Sequence, residues 1–171
     1  MPSGATYEPI ATQTLVSSSS LITFSNIPQT YTDLVIVGTM FPVSGGSNNC
    51  FMRFNSDSNT NYSGTYYFAD PGGSPTSYPY RNSNQTGLGT SYGNSQAGRE
   101  PWWHTNILNY SNTNMYKTVI VKNGWADTWF MMAGQLWRST SAITTITFSP
   151  ASGQTDFAAG TKITIYGIAA A

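Results

Sequence analysis

His104 is the one histidine in a chain of 171 residues that carries seven carboxylates and seven lysines or arginines. General acid–base catalysis needs titratable groups gathered in one place with shifted pKa values. A lone imidazole placed after Trp102-Trp103 at the start of a strand reads instead as a structural residue. Ser, His and Asp are all present, so residue count alone leaves a nucleophilic triad open, but no Gly-x-Ser-x-Gly elbow occurs to expose a serine. A glycosidase needs a paired acid and base, and only convergence in space of two carboxylates such as Asp70 and Glu100 would provide one. No catalytic residue is assigned, and the chain reads as a non-enzyme.

Metal and cofactor chemistry fares no better. Asp57-Ser58-Asn59-Thr60-Asn61 sets oxygen ligands at alternate positions, as the first half of a calcium loop does. The sixth and twelfth positions, where Gly and Glu are needed, hold Tyr62 and Phe68. A turn in which Asp and Asn side chains bond their own backbone is the simpler expectation. Cys50 is the sole cysteine, which excludes an intrachain disulfide and a cysteine-based zinc site and marks it as a buried small apolar residue. Gly45-Gly46 and Gly72-Gly73 lack the helix and the Lys-Ser/Thr pair of a phosphate loop. No metal and no cofactor are expected.

Aromatic rings are the one feature that could carry binding. Tyr66-Tyr67-Phe68 puts consecutive rings on both faces of one strand, so at least one must point away from the core. Tyr78, Tyr80, Trp102 and Trp103 lie in or beside a segment rich in Asn, Ser and Gly, a setting that stacks on sugars or anchors a protein interface. Tyr66, Tyr78, Tyr80, Trp102 and Trp103 are therefore the candidate contacts for a partner or a glycan. The competing expectation is that one of the tryptophans plugs an end of the fold.

The elements that must position these rings are strands. Apolar residues recur in runs of four to seven bounded by Gly, Pro, Asn and Ser, and no stretch keeps a 3.6-residue period for a dozen residues. Charged residues make up 8% of the chain, so Ser, Thr and Asn must cover its surface, and these residues suit strands and turns better than helix interiors. Ten strands are expected, near Tyr7–Leu15, Leu21–Phe24, Asp33–Thr39, Cys50–Phe54, Thr65–Phe68, His104–Asn109, Tyr116–Val121, Phe130–Trp137, Thr144–Phe148 and Lys162–Ile168. They imply one all-β domain over 1–171, a two-sheet antiparallel sandwich of jelly-roll type, with a long loop over 69–96. Leu34–Val37 and Val119–Val121 are continuously apolar, as expected where both faces are covered by the fold or by a neighbouring subunit. Ile22-Thr23-Phe24-Ser25 leading to Leu34-Val35-Ile36-Val37-Gly38 is echoed by Ile146-Thr147-Phe148-Ser149 leading to Ile163-Thr164-Ile165-Tyr166-Gly167, which reads as a duplication or, more simply without a fixed period, as two hairpin-like units of a Thr-rich sandwich.

Equal numbers of acidic and basic residues leave no electrostatic footprint for nucleic acid or an anionic membrane. A weakly charged neutral surface favours self-association instead. No signal-peptide pattern opens the sequence, and no apolar run approaches the ~20 residues that cross a bilayer as a helix. The Asn-x-Ser/Thr triplets at Asn61, Asn84 and Asn109 are what chance supplies in so Asn- and Ser-rich a chain.

Read in order, several strings form a set. Leu21-Ile22-Thr23-Phe24-Ser25-Asn26-Ile27-Pro28 runs into Tyr31-Thr32-Asp33-Leu34-Val35-Ile36-Val37-Gly38, and Arg53-Phe54-Asn55-Ser56-Asp57 precedes Asn61-Tyr62-Ser63. Asn109-Tyr110-Ser111-Asn112 leads to Tyr116-Lys117-Thr118-Val119, Leu136-Trp137-Arg138 precedes Ile143, and Phe157-Ala158-Ala159-Gly160 precedes Ile165-Tyr166-Gly167-Ile168. The chain resembles, over most of its length, small virion structural proteins of tailed bacteriophages, especially those of cyanobacteria. The resemblance implies a β-sandwich displayed on the virion, as a head decoration (cement) protein or a tail-fibre domain. Its partners would be the major capsid protein or other virion proteins, with self-association, a trimer included, and with a host glycan as the alternative. The family supplies no catalytic residues to carry over.

Overall fold

The computed structural model describes residues 6–41, 43, 47–69, 72, 75–84, 86–92, 102–125, 129–150 and 155–169. Twelve strands occur among them: β1 (Tyr7–Thr14), β2 (Ile22–Phe24), β3 (Asp33–Thr39), β4 (Ser47–Phe54), β5 (Tyr62–Ala69), β6 (Thr76–Ser83), β7 (Thr86–Tyr92), β8 (Trp102–Leu108), β9 (Lys117–Trp125), β10 (Trp129–Trp137), β11 (Ile146–Pro150) and β12 (Lys162–Ile168). No helix appears among the described residues.

Every strand pair is antiparallel. One sheet has eight strands in the order β1-β12-β3-β8-β9-β10-β5-β6, and the other has four in the order β2-β11-β4-β7. Without the neighbouring hairpins β5–β6 and β9–β10, the remaining eight strands pair first with last, second with seventh, third with sixth and fourth with fifth. That nested pairing, split between two sheets, is a jelly roll. The two hairpins then widen one sheet from four strands to eight, and β7 lies over β9, β10 and β5.

The expected strands are present, and two more lie in the segment read as a loop. Residues 76–83 and 86–92 form β6 and β7. Their Ser, Gly, Asn and Pro content hid them, because β6 is an edge strand whose partner on one side supplies the hydrogen bonds that its propensity does not favour. The ITFS echo has a geometric counterpart. Each copy crosses from the small sheet to the large one, and the copies pair with each other, Thr23 opposite Thr147 and Ile36 opposite Ile165. They are therefore not hairpins.

Alternation fills the core. In β8 Trp103, Thr105 and Ile107 point inward, and in β10 Met131, Ala133, Gln135 and Trp137 do. Leu34 and Ile36 are fully buried within the sandwich, while Val35 and Val37 face the other side of the sheet. The centre of one end is a ring cluster: the Phe54 and Trp137 centroids are 5.4 Å apart and Tyr62 stacks on Trp137. The turn after β4 seals it. Asp57 accepts hydrogen bonds from Trp137 Nε1 (2.7 Å), from Asn61 Nδ2 (2.8 Å) and from the Asn59 amide (2.9 Å), and Tyr62 Oη donates to its carbonyl. Asn55 and Ser56 hold φ near +51° and +57° to make the turn, a conformation that Asn tolerates and Ser seldom adopts.

Candidate functional site

The sandwich separates the five candidate rings. Trp102 lies on the outer face of the large sheet, exposed to 42%, whereas its neighbour Trp103 is buried and meets Phe148 edge-on at 5.4 Å. Period-two alternation makes this unavoidable, so Trp103 is a core residue and presents no ring to a partner.

Tyr66, Tyr78 and Tyr80 are together, on the inner face of β5 and β6 where the large sheet runs on past β7. Tyr66 and Tyr78 lie 5.5 Å apart, Phe68 stacks on Tyr78 at 5.7 Å with planes 8° apart, and Tyr80 is 6.5 Å from Tyr66. Tyr66 and Phe68 pack against the core, and Tyr78 remains exposed. Arg138 pins this hairpin by donating to the Thr60 carbonyl, Ser63 Oγ and Asn82 Oδ1.

The outer face holds rings and thioethers that alternation alone did not single out. One row across the sheet runs Tyr67, Met132, Lys122, His104, Val37, and the adjacent row runs Phe130, Gly124, Trp102, Thr39, Lys162. Tyr67, Met132 and Phe130 are 44%, 44% and 39% exposed, and the Trp102 and Phe130 rings meet at 6.4 Å across Gly124. They make one contiguous apolar ridge. Beside it, a hollow of about 630 Å³ is lined by Val37, Thr39, Trp102, His104, Lys122 and Lys162. In Phe130-Met131-Met132-Ala133 both faces are apolar, so the alternating pattern marks no outward side and sequence reasoning passed over Phe130 and Met132.

His104 sits in that hollow, half-buried, with its pKa lowered first by burial and then by the Lys122 charge. It is therefore neutral near pH 7, and no carboxylate among the described residues lines the hollow with it. Asp70 and Glu100 fall outside the described residues. Among the described residues no three His, Cys, Asp or Glu side chains gather as a metal site. Cys50 is buried, and burial pushes its thiol up out of the range in which thiolates form.

No family model matches the chain, and no curated protein does. A solved structure of a protein of unknown function from Shewanella oneidensis MR-1 aligns with all of this chain and 82% of its own, at 9% identity and a TM-score of 0.27. A likeness that slight carries no argument about this chain.

Proposed function

We propose that the chain is a structural protein of a phage particle surface, a head decoration protein that lies on the capsid shell and ties neighbouring subunits together. The observation that carries this is the outer face of the large sheet. Trp102, Phe130, Met132 and Tyr67 form a contiguous exposed apolar patch on a chain with no net charge. Patches of that kind mark association surfaces. The jelly roll fits the role, being a fold used by viral shells, and it agrees with the family resemblance of the sequence. Purified particles of the source phage should show an 18.5 kDa band at high copy on a denaturing gel; its absence would overturn the assignment.

A second reading has its own observation. The row of Phe68, Tyr78, Tyr66 and Tyr80 overhangs the small sheet and presents the Tyr78 ring to solvent, the arrangement that stacks on a sugar face in a glycan-binding fibre domain. Glycan-array binding abolished by Tyr78→Ala would favour it over the decoration role.

A further inference from the structure

We infer that the outer face of the large sheet is the contact between two copies of this chain, paired face to face about a two-fold axis that seats the ridge of each in the hollow of the other. This deepens the assembly reading above and rests on it.

The ridge and the hollow lie on the same face, as an isologous contact requires. In a face-to-face pair the axis lies in the plane between the sheets. Run along the strands between β8 and β9, it sets β9 against β8, β10 against β3 and β5 against β12, with the two rows kept in step. Phe130 then meets Thr39 of the partner subunit, and Met132 meets the partner's Val37, so the ridge enters the hollow. Trp102 falls over Gly124 of the partner subunit, which that subunit's own Trp102 and Phe130 rings flank. Lys122 comes opposite the partner's His104, which burial and the neighbouring lysine keep neutral, and the two-fold sets the partner's Lys122 one strand spacing aside. Its long apolar stem can cover the joint while the ammonium reaches the rim.

Size is consistent with this. Eight strands ~4.8 Å apart and about seven residues long give a face of roughly 850 Å², against about 800 Å² per partner in a standard stable complex. Edge pairing is the competing route to association, and three of the four sheet edges are blunted against it. β1 carries Pro9 and an irregular register, β6 carries Pro79, and β2 is three residues long. An anionic sugar held by Lys122 and Lys162 is the competing occupant of the hollow, but it leaves the ridge of Phe130, Met132 and Tyr67 bare.

Light scattering on the purified chain tests the pairing, with a species of twice 18.5 kDa expected. Met132→Glu and, separately, Val37→Glu should each raise the dissociation constant by at least about thirty-fold, the loss of one hot-spot contact. Val16→Glu, at a site 94% exposed off this face, should leave the pair intact. Far-ultraviolet circular dichroism on each variant separates lost pairing from lost folding. A chain carrying Phe130→Cys with Thr39→Cys should form a covalent pair on mild oxidation, because three strand spacings keep the two thiols from closing within one chain. A monomer at the highest soluble concentration overturns the inference. So does a pair indifferent to both glutamates, or a monomer whose His104 resonances shift on adding glucuronic acid. Particles without the 18.5 kDa band would remove the capsid location and leave the solution pair standing, whereas a solution monomer that is abundant in particles would remove the pair alone.

Discussion

Gly38 on β3 faces Trp103 on β8, and the indole rests where any larger residue would put its side chain. A Cβ at position 38 would lie 3.1 Å from Trp103 Cε3 and 2.5 Å from the Lys162 carbonyl oxygen. The second contact is with backbone in the middle of the sheet, so it cannot be relieved by a rotamer change. A bare backbone at one strand position thus holds the ring that joins the two sheets through Phe148.

Gly38→Ala should therefore destabilise the fold by about 1–3 kcal/mol, the range for overpacking a dense core. Thermal unfolding should drop by about 2–4 °C for each kcal/mol lost in a chain of this size. A melting temperature equal to that of the parent would show that β3 and β12 separate more easily than the geometry implies.

Lys117 is fully buried, and its Nζ donates to the carbonyls of Asn112 (2.6 Å), Met115 (2.7 Å) and Thr140 (3.2 Å). It stitches the loop before β9 to the loop after β10. Lys117→Met keeps the stem and leaves three carbonyls without that donor, for a loss of at least about 2 kcal/mol. Urea denaturation should show the midpoint fall while the slope stays constant.

Stability should be nearly level between about pH 7 and 8 and decline on both sides. On the acid side His104 comes first. Its folded pKa is lowered, so the stability present above the unfolded value of about 6.5 is lost as pH falls toward the folded value. Asp57 follows below about pH 4, where its unfolded form takes up a proton. Burial raises its pKa, but the bonds from Asn61, Trp137 and Asn59 outweigh that and leave it lowered. On the alkaline side the Cys50 thiol is raised by burial, so stability present at neutral pH is lost once the unfolded thiol ionises above about pH 8.5. Melting curves of Asp57→Asn and Cys50→Ala against pH should flatten the acid and alkaline limbs respectively; unchanged limbs would mean other groups dominate.

Tyr78→Ala removes two ring contacts at the exposed member of the aromatic row, at 5.5 and 5.7 Å. A cost of about 0.5–1.5 kcal/mol per pair is expected, with cooperative unfolding retained. Trp103→Ala, by contrast, empties a core site and should cost about 3–5 kcal/mol. Similar losses in the two variants would contradict their opposite placement.

The class of fold was legible because period-two patterning, a shortage of charge and frequent turn residues all point to strands, and strands with one apolar face must bury it against another layer, here a second sheet. The Asp57 turn was readable too, because an Asp side chain in a turn accepts from the amide two residues on, here that of Asn59. The neighbours of each strand were another matter. β6 and β7 are strands because β5 and β4 hold them, and propensity carries no record of a partner. Which of Trp102 and Trp103 faces out, and whether Phe130 or Met131 does, depends on which side of the large sheet the small one covers. Alternation sets apart two faces but does not say which will be buried, and burial is decided only when the small sheet lies over the large one, with β7 over β9 and β10 and Phe148 of β11 against Trp103.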